Sequence, residues 1–318
     1  MSAAARPRPG RPTILVTAAD LAPQAVALLD GYDLVYAGKT PTEDDIVALC
    51  RQHDPAAIIV RYSKVGAAAM DAAPSLKVIS KHGSGTDTID KAAAQARGIA
   101  VVAAAGANAA AVAEQSVALL LACVKSVVKL DSRMRAGHWD KSTHKSAELA
   151  GKTLGLIGLG AIGRRVARVA ASMEMRVIGF DPYAKDLPAD IAGVDLATIW
   201  RESDAISLHC PLTEENRGMV NADTLAQCKR GVVIVNTARG GLIDEPALLR
   251  AVRDGQVRAA GLDSFATEPM QAGHPFQSEP NIILSPHIGG VTHEAYVKMG
   301  VGAAENALAV LRQRASRD

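Results

Sequence analysis

Three short segments in the second half of the chain carry side chains that could do chemistry together. They are Asn236-Thr237-Ala238-Arg239-Gly240-Gly241, Gly261-Leu262-Asp263-Ser264-Phe265 followed by Glu268-Pro269, and Ser285-Pro286-His287-Ile288-Gly289-Gly290. Each closes a stretch that reads as a strand, which sets Arg239, Glu268 and His287 at the carboxyl edge of one sheet. The residue types suit a carbonyl that stands beside a carboxylate. A guanidinium holds the carboxylate with a planar fork and polarises the carbonyl. An imidazole, with an ordinary pKa of about 6.5, can donate a proton in one direction and accept it in the other. A glutamate paired with that imidazole orients it and favours its protonated form. Singly, such residues are loop histidines and surface ion pairs. Three of them at the strand ends of one sheet point to catalysis.

A fourth segment, Gly158-Leu159-Gly160-Ala161-Ile162-Gly163, follows the apolar strand Leu154–Ile157 and opens a helical pattern. The acid Asp181 ends the next strand, about 20 residues downstream, which is the spacing of a dinucleotide-binding fingerprint. Gly158 makes the tight turn, Gly160 lets backbone N–H groups approach a pyrophosphate, and Gly163 lets the helix pack on the strand. Asp181 is expected to accept hydrogen bonds from the adenosine ribose. Pro182 and Tyr183 follow it, with no arginine to meet a 2′-phosphate, so the expected cofactor is NAD.

The elements that must position these residues alternate between strand and helix. Ile14–Val16, Ala57–Val60, Val78–Ser80 and Ala100–Val102 read as strands of a first series. Leu154–Ile157, Arg176–Phe180, Ala205–Leu208, Val232–Asn236 and Ala259–Leu262 form a second. Helices lie between them, such as Thr42–Arg51 with Thr42 as its cap. One long apolar helix from about Asn108 to Arg135 separates the two series, and a last helix runs from about Thr292 to Arg312. This alternation predicts an α/β protein of two doubly wound parallel sheets, with a ligand cleft between them at the carboxyl ends of the strands. The cofactor domain is expected over 106–288, inserted into a substrate domain made of 1–105 and 289–318.

Together, the glycine loop and the ordered arginine, glutamate and histidine segments resemble the D-isomer-specific 2-hydroxyacid dehydrogenase family, from about Ile58 to the last helix. The family includes phosphoglycerate dehydrogenases and glyoxylate/hydroxypyruvate reductases. The resemblance implies a Rossmann cofactor domain inserted into a flavodoxin-like substrate domain, and hydride transfer between NAD(H) and C2 of a small 2-hydroxy or 2-oxo acid. It makes Arg239, Glu268 and His287 catalytic. Lys81-His82-Gly83-Ser84-Gly85-Thr86-Asp87 looks like the family's substrate loop, with Ser84 and Gly85 offering N–H groups to the carboxylate. Leu208-His209-Cys210-Pro211-Leu212-Thr213 looks like its cofactor-side strand end. On the same basis Ala161, Ile162, His209, Cys210, Pro211, Thr237, Asp263, Gly289, Asn108 and Val112 line the cofactor, Asp263 at the nicotinamide carboxamide. Ala111 lacks the hydroxyl that the family often has there.

Arg61-Tyr62-Ser63 resembles the segment before the substrate loop in phosphoglycerate dehydrogenases. Arg61 then meets a second anionic or strongly polar group of the substrate, with Lys81 and Lys141 adding charge; otherwise it pairs with a nearby carboxylate and braces its strand. Trp139 resembles an aromatic that reaches across a homodimer interface; otherwise it is an ordinary buried tryptophan. The chain stops soon after its last helix, so the added regulatory domain of some phosphoglycerate dehydrogenases, and serine feedback through it, are not expected. Glu268 separates the pattern from formate dehydrogenases, which pair the histidine with glutamine. The alternative function is a nicotinamide-sensing binding protein, like the corepressors built on this fold.

Composition narrows the remaining classes. The 318 residues are 48% hydrophobic and 21% charged, a profile that sustains a sizeable core and suggests two domains. A formal net charge of +2 with 3% aromatic residues gives no basic stripe or stacking surface, so no nucleic-acid partner is expected. Cys50, Cys123, Cys210 and Cys228 have no metal-like spacing and read as reduced thiols of a cytoplasmic protein. No metal is expected. The first dozen residues, rich in arginine and proline, read as a disordered tail, not a secretory signal. The most apolar stretch, Gly98–Val124, is interrupted by Gly106, Asn108, Glu114 and Gln115, and reads as a buried helix, not a membrane span.

Overall fold

The structure, a computed structural model, describes residues 11–316; most of the proposed N-terminal tail lies outside them. The chain forms two compact units, one of residues up to Asn108 and from Val291 onward, the other of Ala109–Gly290.

In the first unit, strands β1 (Thr13–Val16), β2 (Asp33–Tyr36), β3 (Ala57–Val60), β4 (Val78–Lys81) and β5 (Ala100–Ala103) alternate with helices α1 (Pro23–Leu28), α2 (Glu43–His53), α3 (Ala67–Asp71) and α4 (Lys91–Ala96). All pairs are parallel, in the order β2-β1-β3-β4-β5, the flavodoxin-like arrangement. Thr42 caps α2: its Oγ1 accepts from Asp45 N, and Asp45 reaches back to Thr42 N at 2.9 Å. The edge strand β2 is not among the expected strands although Leu34-Val35-Tyr36 is an apolar run; lying at the edge, it is only half-buried, and Tyr36 is exposed.

The second unit begins with α5 (Ala109–Lys125) and α6 (Val127–Arg135). It continues through β6 (Thr153–Ile157), α7 (Ala161–Ser172), β7 (Arg176–Phe180), β8 (Ala192–Gly193), α8 (Leu196–Glu202), β9 (Ala205–Leu208), α9 (Ala222–Gln227), β10 (Val232–Asn236), α10 (Glu245–Arg253), β11 (Val257–Leu262) and β12 (Ile282–Leu284). Its seven strands are parallel in the order β12-β11-β10-β9-β6-β7-β8. The order reverses between β6 and β9, the switch point where such sheets bind ligands. The last helix, α11 (His293–Ala315), belongs to the first unit and packs on α1 and β4.

Each sheet is buried on both faces, which explains why its central strands read as continuous apolar runs. Two expectations need correction. The single long helix is two, because Ser126 adopts a left-handed backbone (φ 55°) and α5 and α6 meet at 60°. The apolar stretch Gly98–Val124 is not one helix: it passes through β5 and a turn before entering α5. Among the described residues no single helix is long and apolar enough to cross a membrane; the bent α5–α6 pair passes by length and composition, but α5 packs on α7, β10 and β11.

Candidate active site

The carboxyl edge of the second sheet gathers the polar segments. At the end of β10, the buried Asn236 turns the chain outward: its amide donates to Arg239 O (2.9 Å) and accepts from Ala238 N (3.0 Å). Arg239 leaves this turn half-buried. The next residue must be glycine, because a Cβ on Gly240 would stand 1.9 Å from Phe265 C. That contact presses the Arg239 turn against the loop carrying Glu268.

Asp263, at the exit of β11, is 2% exposed and organises the third segment. It accepts from Ile288 N (3.0 Å), Gly289 N (2.7 Å) and the Ser285 hydroxyl. Gln115 on α5 donates to Ser285 Oγ at 3.1 Å. The loop so held places His287 in a left-handed backbone (φ 53°), a conformation uncommon outside glycine and frequent at functional sites.

His287 Nδ1 lies 2.7 Å from Glu268 Oε2, and Glu268 Oε1 accepts from Phe265 N at 2.9 Å. The hydrogen bond to Glu268 is the main cause that lifts the imidazole pKa above its ordinary value; burial and the Arg239 charge oppose it, and the Glu268 and Asp263 charges support it. For Glu268, burial alone would raise the carboxyl. The bonds from His287 and Phe265 N–H, with the His287 and Arg239 charges, outweigh it and hold the group below the usual range. The site therefore combines an imidazole whose protonated form is favoured, a carboxylate whose ionised form is favoured, and a guanidinium whose charge acts on both.

The glycine loop fits a dinucleotide. Gly158 has φ 97°, and a Cβ there would meet Cys210 N and His209 C at 2.6 Å, where β6 and β9 part. A Cβ on Gly163 would strike Gly158 O at 2.1 Å. A Cβ on Gly160 would project into open space, and as N-cap of α7 Gly160 receives no side-chain cap, so the helix's first N–H groups are left to a ligand. Ala161 and Ile162 form the first turn of α7. Asp181 accepts from Leu159 N (2.8 Å) and Tyr183 N (2.9 Å), which fixes the carboxylate beside the loop with lone pairs to spare for a ribose.

Other expected cofactor residues are placed less simply. His209 Nε2 pairs with Ser207 Oγ at 2.9 Å while Nδ1 is buried without a partner; burial drops its pKa to about 4, so the ring is neutral. Cys210 and Pro211 follow it at the end of β9. The Thr237 hydroxyl is engaged: Ser116 Oγ gives its proton to Val112 O, so in the 2.7 Å contact Thr237 is the donor. Ala111 and Val112 are buried in the first turns of α5. Both Asp263 oxygens already hold the His287 loop, so a nicotinamide contact there would share a bonded oxygen. Gln115, Ser116, Ser285 and Gly240 are supports that spacing did not reveal.

In the first unit, Ser84 donates to Asn108 Oδ1 (3.2 Å) and accepts from Gly106 N (3.3 Å), and Gly85 follows in the half-buried loop. Arg61 does not need a ligand to balance its charge: Nη1 pairs with Asp20 Oδ1 at 3.0 Å. Lys81 is buried, with Nζ donating to Arg61 O. In the second unit, Trp139 is 74% exposed, which corrects the buried alternative, and Lys141 is exposed nearby. His53, His144 and His274 are half-buried, and His274 pairs with Glu245 at 3.4 Å. All four cysteines are free.

A dinucleotide loop at a sheet's switch point, beside a paired histidine and glutamate and an arginine, defines a dinucleotide-linked oxidoreductase. Residues 117–289 match the NAD binding domain of the D-isomer specific 2-hydroxyacid dehydrogenases. The chain is 41% identical over 266 residues to hydroxypyruvate reductase of Thermotoga maritima, covering 83% of this chain and 86% of that one. It is 40% identical over 299 residues to D-3-phosphoglycerate dehydrogenase of Mycobacterium leprae, covering 93% of this chain but 56% of that longer protein. The TT0316 protein of Thermus thermophilus superposes with a TM-score of 0.87 at 35% identity, covering 95% and 97% of the two chains. The chain belongs to the D-isomer specific 2-hydroxyacid dehydrogenase family. It is an NAD-linked oxidoreductase of hydroxy and oxo acids.

Proposed function

We propose that the protein interconverts a small 2-oxo acid and its 2-hydroxy acid at C2, with glyoxylate, hydroxypyruvate and 3-phosphohydroxypyruvate as the substrates to compare. The observation that carries this reading is the 2.7 Å His287–Glu268 pair beside the Arg239 charge, in the unit that also bears the glycine loop. NAD(H), when bound, supplies the hydride chemistry. Arg239 holds the substrate carboxylate and polarises the C2 carbonyl. His287 gives its proton to the carbonyl oxygen in reduction and takes it from the hydroxyl in oxidation. Glu268 keeps the ring oriented and charged. Ser84 and Gly85 offer backbone N–H groups to the carboxylate, while Gly158, Gly160, Gly163 and Asp181 hold the dinucleotide. NADH oxidation with the three acids tests the reading; binding of NADH without turnover of any 2-oxo acid contradicts it.

The same reading makes the 1–105 and 289–318 segments the substrate domain and 106–288 the cofactor domain. It also makes the protein a homodimer of the cytoplasm. α6 and the segment after it leave Val127, Val128, Met134 and Trp139 exposed, an apolar surface suited to a second copy. Four free thiols suit a reducing compartment. A monomeric mass by light scattering contradicts the dimer.

A further inference from the structure

Arg61 stands at the carboxyl end of β3 and is held on several sides. Its Nη1 is 3.0 Å from Asp20 Oδ1, and the same oxygen accepts from the Tyr296 hydroxyl at 2.8 Å. The guanidinium lies 5.2 Å from the ring centre of Tyr62 and 5.1 Å from that of Tyr296, so aromatic rings engage it as well. Its Nε is buried without a partner. The neighbouring His82 ring, 5.6 Å from Tyr296, is pushed by burial to a pKa of about 4 and brings no charge at neutral pH. Burial and the bond to Asp20 push the Tyr296 phenol up to about 12, so it stays a donor to Asp20.

Asp20 thus offsets the Arg61 charge, while the buried Lys81 is engaged at Arg61 O. A phosphate ester is best gripped by a guanidinium edge that offers two parallel N–H bonds. Here the edge containing Nε is closed to a ligand, and the far edge is shared with a carboxylate. The side chain of Arg61 is 18% exposed and that of Asp20 is 69% exposed, so the acid stands on the solvent side of the pair. A dianion reaching Arg61 from solvent would meet the Asp20 charge as well as the arginine.

We propose that Asp20 is a specificity-determining residue: by neutralising Arg61 it sets this subsite for 2-oxo acids whose distal group is an uncharged hydroxyl or hydrogen, against phosphorylated ones. The proposal rests on the function proposed above, with Arg61 facing the substrate's distal end. Tyr296, which touches both Arg61 and Asp20, is a positioning residue for the pair.

The test is the ratio of kcat/KM for 3-phosphohydroxypyruvate to that for hydroxypyruvate, measured in wild type, Asp20→Asn, and Asp20→Asn combined with Arg61→Gln. Wild type should favour hydroxypyruvate. Asp20→Asn should raise the ratio about tenfold, the order expected for removing one screened unit charge from beside a dianion. The gain should lie in the KM of the phosphorylated substrate, with its kcat little changed. The double variant should lose the gain. A ratio that Asp20→Asn leaves unchanged or lowers, or a wild type that prefers the phosphorylated acid, overturns the proposal while leaving the dehydrogenase reading intact. A wild type that binds NADH yet reduces none of these acids removes the functional reading and the proposal with it. Asp20 is exposed and the substitution is isosteric, and a thermal melt checks that each variant is folded.

Discussion

His287 presents Nδ1 to Glu268 Oε2 at 2.7 Å, which leaves Nε2 as the ring nitrogen available to a substrate. The bond raises the imidazole pKa and so favours the protonated form needed to reduce a carbonyl. Reduction needs the acid, so its kcat/KM should fall as pH rises through the elevated His287 pKa. Oxidation needs the base and should rise over the same range. Glu268→Gln removes the Glu268 charge and weakens the bond that is the main cause of the elevation, while burial and Arg239 still oppose the imidazolium charge. The limb of the reduction profile should move to lower pH. A limb that stays put would show that Glu268 does not tune His287.

Arg239→Lys should raise KM for every 2-oxo acid by about ten- to hundredfold, because a point charge replaces a planar fork and one charge-assisted bond is lost. Steady-state kinetics with glyoxylate, which has no distal group, isolate this effect from any at Arg61. An unchanged KM for glyoxylate would take Arg239 out of carboxylate binding.

NADH should be used in preference to NADPH, since Asp181 is fixed beside the glycine loop by Leu159 and Tyr183 N–H groups and would face a 2′-phosphate. Asp181→Ala should narrow the gap between the two. Equal kcat/KM with both cofactors in the wild type contradicts the assignment.

Gly240→Ala should destabilise the protein by about 1–3 kcal/mol or more, because its Cβ would overlap the Phe265 backbone and must push two loops apart. Activity should fall with it, since those loops carry Arg239 and Glu268. Denaturant unfolding at wild-type stability would mean that the loops separate without cost.

The central strands and the three catalytic residue types were legible in the sequence for one physical reason. Parallel strands buried on both faces must be continuous apolar runs, and the polar residue that ends such a run is conspicuous. The edge strand β2 carries the apolar run Leu34-Val35-Tyr36 but is only half-buried, and no polar chemical residue ends it to draw notice. The break at Ser126 has no proline or glycine to announce it; it separates the largely buried α5 from α6, which has no buried residue. The supports of the site were illegible because they depend on distant approach. Gln115 meets Ser285 from 170 residues away, and Tyr296 meets Asp20 from 276. A separation of 41 residues likewise hid the partner of Arg61, whose position at a strand end was plain while its ion pair was not.

The most direct test of the account is turnover by His287→Ala with its best 2-oxo acid, measured beside NADH affinity by fluorescence. His287 is assigned to proton transfer and not to holding the dinucleotide. The variant should therefore lose about 10²–10⁴-fold in kcat while its Kd for NADH stays near the wild-type value. A variant that keeps most of the wild-type turnover, under conditions where a deuterium isotope effect shows hydride transfer to be rate-limiting, would contradict the account.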